Sequence, residues 1–330
     1  MVSRATDIMT LETNRLILRQ WEESDAEECY KYAKDPLVGP AAGWPMHTSV
    51  ENSRQVIRDV LTVPETYAIV LKKTGLPIGS IGLHHNDLAS KDDEAELGYW
   101  IGVPYWGQGL VPEAAREVLR HAFEDLKLER VWCGYYDGNI KSKRVQEKLG
   151  FKHQWTTENV PVPQMGETRK GHVNLLTKEE WVHYVEAELT PEVLDTLIHL
   201  SEDWESEQSC YGYRKNERSD IEGSRIFIAK NQGEIIGYLL GHIEQAKHTS
   251  SIMPDGTPFF EVEELYVKPA HRSKGIGNKL FRLAEEAVIE EADYIMLSTA
   301  TKNWKAIFHF YLDELDMSFW SARLFKRIEK

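Results

Sequence analysis

The sequence predicts two copies of one domain that mixes helices with strands. Three observations lead there. The chain has 330 residues, about twice a common domain size. An order of secondary-structure signals begins twice. The two runs lie roughly 165 residues apart, too long a period for a solenoid repeat.

In the first half, Leu16-Ile17-Leu18 reads as a strand. Residues 22–33 read as a helix, with Asp25 just ahead of the periodic stretch as a candidate cap. Residues 67–71 and 78–84 form a hairpin around Lys73-Thr74-Gly75. A third strand at 94–103 runs into a Pro, a Gly-rich turn and an amphipathic helix at 111–126. A strand at 130–135 and a helix opening near Asn139 follow.

The second half repeats this order. Residues 182–189 read as a strand whose alternation slips, Val182 and Tyr184 being in one phase and Ala187 and Leu189 in the other. Thr190-Pro191-Glu192 then starts a helix, with a capping hydroxyl and Pro at the first helical position, and 194–204 continue it. Residues 226–229 and 235–243 flank Asn231-Gln232-Gly233. A strand at 259–267, a Gly-rich turn, a helix at 278–291, a strand at 294–298 and a helix opening near Asn303 complete the copy. No Gly/Ser/Pro-rich linker divides the halves. The expected boundary falls at 180–183, giving domains 1–181 and 182–330.

Composition is that of a folded soluble chain, 42% hydrophobic and 28% charged. No apolar run approaches the roughly 18 to 20 residues of a membrane span. Met1 to Thr10 lacks a basic start followed by an apolar block, so no signal peptide is expected. Cys29, Cys133 and Cys210 are far apart and odd in number, which fits a reducing, cytoplasmic setting. The net charge is −14. Residues 1–180 hold 22 Lys and Arg against 27 Asp and Glu, leaving 17 against 26 in the rest. A negative field repels nucleic acid and favours polyamines, aminoglycosides or basic peptides; the same acidity also serves solubility.

In the second half, Leu265-Tyr266-Val267 ends a strand and a loop holds Arg272-Ser273-Lys274-Gly275-Ile276-Gly277 before a helix. Glycines there allow a tight turn and a close backbone approach, and free N–H groups at a helix start suit a pyrophosphate. Neither GxxxxGK[ST] nor GxGxxG with a later acid is present. A dinucleotide-binding fold would also place its Gly-rich turn after the first strand, whereas here it follows several.

Arg-x-x-Gly-x-Gly after such a strand resembles the acetyl-CoA pyrophosphate loop of the GNAT superfamily of N-acyltransferases, over most of 182–330. The resemblance implies that the backbone of Leu265, Tyr266 and Val267 bonds the pantetheine arm. It also implies that Arg272, Ser273, Lys274, Gly275, Ile276, Gly277 and Asn303 contact the cofactor. The first half is similar to the ribosomal-protein N-terminal acetyltransferase branch over residues 10–181. The motifs are Glu12-Thr13-Asn14-Arg15-Leu16-Ile17-Leu18-Arg19, Ile78-Gly79-Ser80-Ile81-Gly82, Glu96-Leu97-Gly98-Tyr99-Trp100-Ile101, Asn139-x-x-Ser142 and Lys148-Leu149-Gly150-Phe151. Its cofactor residues are then Ile101, Trp106, Gly107, Gln108, Gly109, Leu110, Val111 and Asn139. Trp106 stands where a basic residue is usual. Val111 stands where Gly or Ala is usual, and its bulk is expected to narrow the phosphate cradle. The resemblance implies α+β domains with mixed, mostly antiparallel sheets, helices on both faces, and a sheet that splays where the acyl arm enters. It implies acetyl-CoA as co-substrate and a primary amine as acceptor, on a small molecule, an antibiotic or a peptide N-terminus.

Amine acetylation needs a neutral amine, a polarised thioester and a proton donor for the thiolate, but no enzyme nucleophile. The family's Asn-x-x-Ala-x-x-x-Tyr pattern makes Tyr311 the candidate acid of the second half. It arrives one residue late, with Phe310 in the expected slot, and one helical residue is a turn of about 100°. His309 is a substitute. In the first half the resemblance points to Ser142, which could equally be a helix cap. Strand carboxylates are the candidate bases. Alternation puts Glu94 with Glu96 and Glu261 with Glu263, and leaves Glu264 on the other face; Glu96 and Glu263 are the choices. No metal is expected, because His84 and His85 are adjacent in a strand and point apart. Trp100, Trp106, Trp304 and Trp320 could line an amine pocket. Arg272 gives the second half the more complete loop and predicts the tighter, more active site there. The rival expectation is that one or both halves are binding modules without turnover.

Overall fold

The computed structural model describes residues 9–248 and 251–321. Contacts group the chain into two units, Met1–Trp181 and Val182–Lys330, each with its own sheet.

In the first unit the strands are β1 Leu11–Glu12, β2 Leu16–Gln20, β3 Thr66–Leu71, β4 Leu76–His84, β5 Glu94–Ile101, β6 Arg130–Tyr136, β7 Lys152–Val162 and β8 Glu167–Thr177. Their order in the sheet is β1-β2-β3-β4-β5-β6-β8-β7. The helices are α1 Ala26–Ala33, α2 Gly39–Ala42, α3 Val50–Val56, α4 Leu110–Arg120 and α5 Ile140–Leu149. Wider π-helical turns extend α3 over Ile57–Leu61 and α4 over His121–Asp125. Each face of the sheet buries an apolar cluster. On one, Leu18, Ile69, Ile81 and Leu97 pack with Ala114, Val118 and Phe123 of the α4 segment. On the other, Ala68 and Val70 pack with Cys29 of α1 and Ile57 beyond α3.

Two local expectations change. The helix expected over 22–33 begins as a separate 3-10 turn, Glu23–Asp25. Asp25 is held by Arg19 at 2.7 and 2.8 Å and accepts the Glu22 N–H at 3.0 Å, so it closes that turn and does not cap α1. The strand expected to reach 103 stops at Ile101, because Val103–Tyr105 forms a 3-10 turn around Pro104.

All neighbours in this sheet run antiparallel except β5 and β6. That parallel pair joins only at Glu94 with Arg130, Ala95 with Val131 and Glu96 with Trp132. Beyond Glu96, β5 continues beside β4 alone and β6 beside β8 alone. The sheet therefore splits, and among the described residues the edge of residues 97–101 pairs with no strand, the Leu97 carbonyl accepting only from the Cys133 thiol at 3.2 Å.

The second unit has β9 His183–Ala187, β10 Arg225–Asn231, β11 Glu234–Gln245, β12 Pro258–Val267 and β13 Tyr294–Leu297, in the order β13-β12-β11-β10-β9. Its helices are α6 Pro191–Glu207, α7 Arg218–Ile221, α8 Ile276–Val288 and α9 Trp304–Phe308, the last continuing as a π-helical turn over His309–Glu314. Thr190 caps α6 by accepting the Val193 N–H at 3.2 Å. One apolar cluster joins Phe227, Leu239 and Phe260 to Leu280 and Ala284 of α8. The other joins Ile228, Tyr238 and Tyr266 to Leu194 and Leu197 of α6. Again one pair is parallel, β12 with β13, and it ends where Val262 meets Leu297. One feature differs. The β11–β12 ladder passes from Leu240 opposite Glu264 to Gly241 opposite Val262, so Glu263 is the extra residue of a β-bulge.

Candidate functional site

The Gly-rich turns share their backbone shape. Gly109 precedes α4 at φ 72° and Gly275 precedes α8 at φ 76°. Left-handed backbone at these positions is what the glycines are for. Two residues earlier, Gly107 (φ 75°) and Ser273 (φ 59°) are also left-handed. Among the described residues, the amides of Gly107, Gln108 and Gly109, and of Ser273, Lys274 and Gly275, donate to no partner. No heavy atom lies within 4 Å of the place a Cβ would take on Gly107 or Gly275. Free donors in open space at a helix start fit the phosphates of a coenzyme.

The position after each strand is filled differently. Trp106 donates its indole N–H to the Ile101 carbonyl at 3.0 Å. Arg272 donates its Nε–H to the Val267 carbonyl at 2.7 Å. Both seal the end of the open strand. Arg272 is also ion-paired with Glu207 at 2.7 Å and lies over the Tyr266 ring, so the charge advantage expected of it is offset. In the first unit a cation reaches the turn from another element: the Lys141 ammonium stands 3.9 Å from the Trp106 ring centroid. Val111 does not narrow the cradle. It is buried and packs with Ala114 and Ala115. At the corresponding Gly277 the space is taken by Phe310, whose ring is 3.3 Å from a Cβ position there.

The motif Thr13-Asn14-Arg15 braces the first turn from 98 residues away. Arg15 holds Glu113 of α4 through Nε at 2.6 Å and the Gln108 carbonyl through Nη1 at 3.0 Å, while Thr13 donates to Glu113 at 2.5 Å. The sequence marks this stretch as part of a motif of the resemblance and assigns it no contact with the turn. Asn139 uses its side-chain oxygen to cap α5, accepting the Ser142 N–H at 3.2 Å. Ser142 is therefore inside the helix and not its cap. Its hydroxyl oxygen accepts from Gln146 Nε2 at 3.1 Å and lies 2.9 Å from the Tyr99 hydroxyl. The Tyr99 hydroxyl also donates to the Ser142 backbone carbonyl at 3.3 Å; where it donates to the Ser142 hydroxyl instead, the Ser142 proton is left for a third group. Burial raises the Tyr99 pKa and keeps that phenol protonated.

Tyr311 lies in the π-helical turn, stacked edgewise on Phe310 with ring centroids 4.9 Å apart, and packs against the core. Burial pushes its pKa up to about 12. Its electrostatic neighbour is Cys210, whose backbone bridges to Thr301 beyond β13. His309 points to solvent and pairs with Asp313 at 2.7 Å. Asn303 precedes α9 without a side-chain cap.

Among the strand carboxylates, Glu94 is taken up by Arg130, Trp132 and Lys91. Glu96 stands on the last rung of the parallel pair, bonded to Asn86 and lying over Gly134. Burial raises its pKa. The bulge in the second unit breaks the expected alternation, and Glu263 and Glu264 line the same cavity. Glu263 is the more exposed, touching Ser224 at 3.1 Å and His242 at 3.4 Å. Glu264 is bonded by Asn216 and Tyr238, each at 2.8 Å, and burial raises its pKa against those bonds.

Counting rungs from the loop shows a second likeness that aligning the two halves could have revealed. Gly79 pairs with Ile101 and Gly237 with Val267. Further along, His84 faces Glu96 and His242 faces Glu261 across the ladder. Glu96 stands on the last parallel rung of its sheet and Glu261 on the last but one of its own.

Two cavities adjoin these strands. The one in the first unit, about 500 Å³, is lined by Trp44, His47, Thr66, His84, Tyr99 and Trp100 among others. The one in the second, about 640 Å³, is lined by Tyr213, Asn216, Asp220, Glu222, Glu263 and Glu264 among others. Among the described residues, two buried side-chain polar atoms lack a hydrogen-bond partner, Thr66 Oγ1 and the Tyr213 hydroxyl. Each lines one of the cavities. Buried polar groups are nearly always satisfied, so Thr66 Oγ1 marks a place for a ligand atom, while the Tyr213 hydroxyl stands beside Tyr238 and Glu264. Of the four expected pocket tryptophans, Trp100 lines a cavity, Trp106 serves the strand end, and Trp304 and Trp320 are exposed. Among the described residues no group of three or more His, Cys, Asp or Glu side chains could hold a metal, and no helix is long and apolar enough to cross a membrane.

Two family profiles match the chain. Residues 15–152 match the acetyltransferase (GNAT) domain and residues 193–313 the acetyltransferase (GNAT) family. "Uncharacterized N-acetyltransferase p20" of Bacillus licheniformis is 30% identical over 150 residues, 44% of this chain and 83% of that protein. "Uncharacterized N-acetyltransferase YoaA" of Bacillus subtilis is 31% identical over 149 residues, again 44% and 83%. The crystal structure of a GNAT-family acetyltransferase from Bacillus anthracis aligns with 51% of this chain and 98% of its own, at 22% identity and a TM-score of 0.47. The chain belongs to the GNAT acetyltransferase family, carries its domain twice and is an N-acetyltransferase. The family uses acetyl-CoA.

Proposed function

We propose that each unit binds acetyl-CoA, phosphates against the Gly-rich turn and acyl arm along the open strand edge, and that a primary amine attacks the thioester directly. The observation that carries this reading is the repetition of one arrangement. In both units a parallel pair separates beside a half-buried carboxylate, and the freed strand ends at a turn with unbonded amides. In the first unit Glu96 takes the ammonium proton through water, and Ser142, supported by Tyr99 and Gln146, protonates the leaving thiolate. In the second, Glu264 joins Glu263 as the group that receives the amine. Asp220, Glu222, Glu263 and Glu264 surround a cavity with Arg214 as counter-charge, which suits a cationic acceptor such as a polyamine, an aminoglycoside or a basic peptide. Three free cysteines, two of them buried, suit a reducing cytoplasm.

The test is the stoichiometry of CoA binding to the whole chain by titration calorimetry. Two per chain is expected, and Gly109→Glu or Gly275→Glu should each remove one, since a carboxylate on left-handed backbone strains the turn and repels phosphate. One per unmutated chain would refute the reading. A second reading, in which the second unit binds but does not turn over, is favoured by Tyr311, whose hydroxyl has no hydrogen bond among the described residues and whose ring packs in the core.

A further inference from the structure

We propose that the first unit accepts a primary amine carried on a flat apolar group with one hydrogen-bonding atom of its own. Its ring would lie against Trp44 and Trp100, its polar atom would reach Thr66 Oγ1, and its amino nitrogen would meet His84. The proposal rests on the reading that this unit acetylates an amine.

The cavity walls set the class. Trp44 and Trp100 meet edge to face with centroids 5.8 Å apart, and Trp21 stacks on Trp100 from behind. Met46, Val56 and Leu61 complete an apolar surface. Such a wall rewards a flat hydrocarbon face and penalises a polycation. Thr66 is only 2% exposed, and its hydroxyl has no partner.

His84 is seated by two glycines. Gly82 and Gly98 are cross-strand partners. A Cβ on Gly82 would stand 3.0 Å from the imidazole, and one on Gly98 would stand 3.3 Å from it. The ring makes no hydrogen bond among the described residues. Burial lowers its pKa, so the ring is neutral near pH 7 and offers a nitrogen lone pair that can accept a hydrogen bond from the amine, whose proton passes to Glu96. The cavity also touches Gly98 and Tyr99 on the open edge of β5, where the thioester would lie. The corresponding rung of the second unit carries Leu240 opposite Glu264. That substitution replaces a floor for an imidazole by a carboxylate, and with it the class of acceptor.

Tryptamine is the probe, with 2-phenylethylamine lacking the indole N–H and spermidine as the polycation. Binding to the whole chain is measured by calorimetry without acetyl-CoA, and acetylation separately by mass spectrometry. Trp44→Ala should weaken tryptamine at least about tenfold. The nearly isosteric Thr66→Val should bring tryptamine down to the level of 2-phenylethylamine, a loss of about 2- to 10-fold. Glu264→Gln should weaken spermidine and leave tryptamine unchanged. His84→Gln should slow acetylation of tryptamine more than it weakens binding. No tryptamine binding, or binding that follows Glu264→Gln and ignores Thr66→Val, overturns the proposal. Tryptamine bound through Thr66 but never acetylated leaves the cavity assignment intact and overturns the acetyl-transfer reading for this unit.

Discussion

The two strand ends carry the same bond with different side chains. Trp106 and Arg272 each reach back to the last carbonyl of the open strand, Ile101 or Val267. One is neutral and aromatic. The other is cationic but already paired with Glu207. The shared requirement is a donor that closes the strand end; positive charge comes from elsewhere in the first unit, where Lys141 rests on Trp106. A residue that departs from a family pattern can therefore keep the pattern's structural task.

The sharpest way to break this parallel lies in the thiolate acids. Ser142→Ala should lower kcat of the first unit by roughly 10²-fold with little change in KM, the low end of general acid catalysis. Tyr311→Phe should do the same in the second unit if its phenol acts. An unchanged kcat there would assign Tyr311 to the core and make the second unit the binding partner. Rates read separately, with an aromatic and a polycationic acceptor, give the two answers in one protein.

Next in size is the strand-end bond. Trp106→Ala and Arg272→Ala should each weaken CoA about 2- to 10-fold at their own site, the worth of one net hydrogen bond. Trp106→Arg should restore most of the loss. If Trp106→Arg binds far more tightly than the natural residue, charge and not the carbonyl bond was the requirement.

A smaller effect separates the orphan hydroxyls. Without ligand, Thr66→Val should raise stability by about 1 kcal/mol, because an unpaired buried hydroxyl costs free energy that a methyl does not. A higher Tm combined with weaker tryptamine binding is the expected signature. A lower Tm would mean that Thr66 is satisfied in the free protein.

The least effect is a pH dependence expected of the first unit. His121 lies between Glu65 at 3.0 Å and Asp125 at 2.9 Å. The Glu65 bond, against burial, raises its pKa. A raised folded-state value means its contribution is complete below the unfolded value of about 6.5 and is lost as pH rises through the folded value. Chemical denaturation of the whole chain from pH 6 upward should show this loss, and His121→Gln should flatten it. An equal slope in the variant would place the titration elsewhere.

Much of the fold was legible in local chemistry. Apolar runs on either side of a turn mark the hairpins of β3 with β4 and β10 with β11, Thr190 and Pro191 start α6, and glycines stand where the turns need left-handed backbone. These signals act over a few residues, so they were enough for the mixture of helices and strands, the doubled order of elements and the positions of both turns, while the α+β arrangement followed from the family resemblance. Contacts between distant residues decided the rest. Glu113 and Arg15 meet across 98 positions and Arg272 and Glu207 across 65. A single bulged residue turned Glu264 onto the cavity beside Glu263, because the two-residue period holds only while the ladder is unbroken. Thr66 and His84 belong to different strands, and their unbonded atoms acquired meaning only when β3, β4 and β5 enclosed the same space. Period and capping are properties of neighbours along the chain; burial, pairing and an orphaned hydroxyl exist only once the chain has folded back on itself.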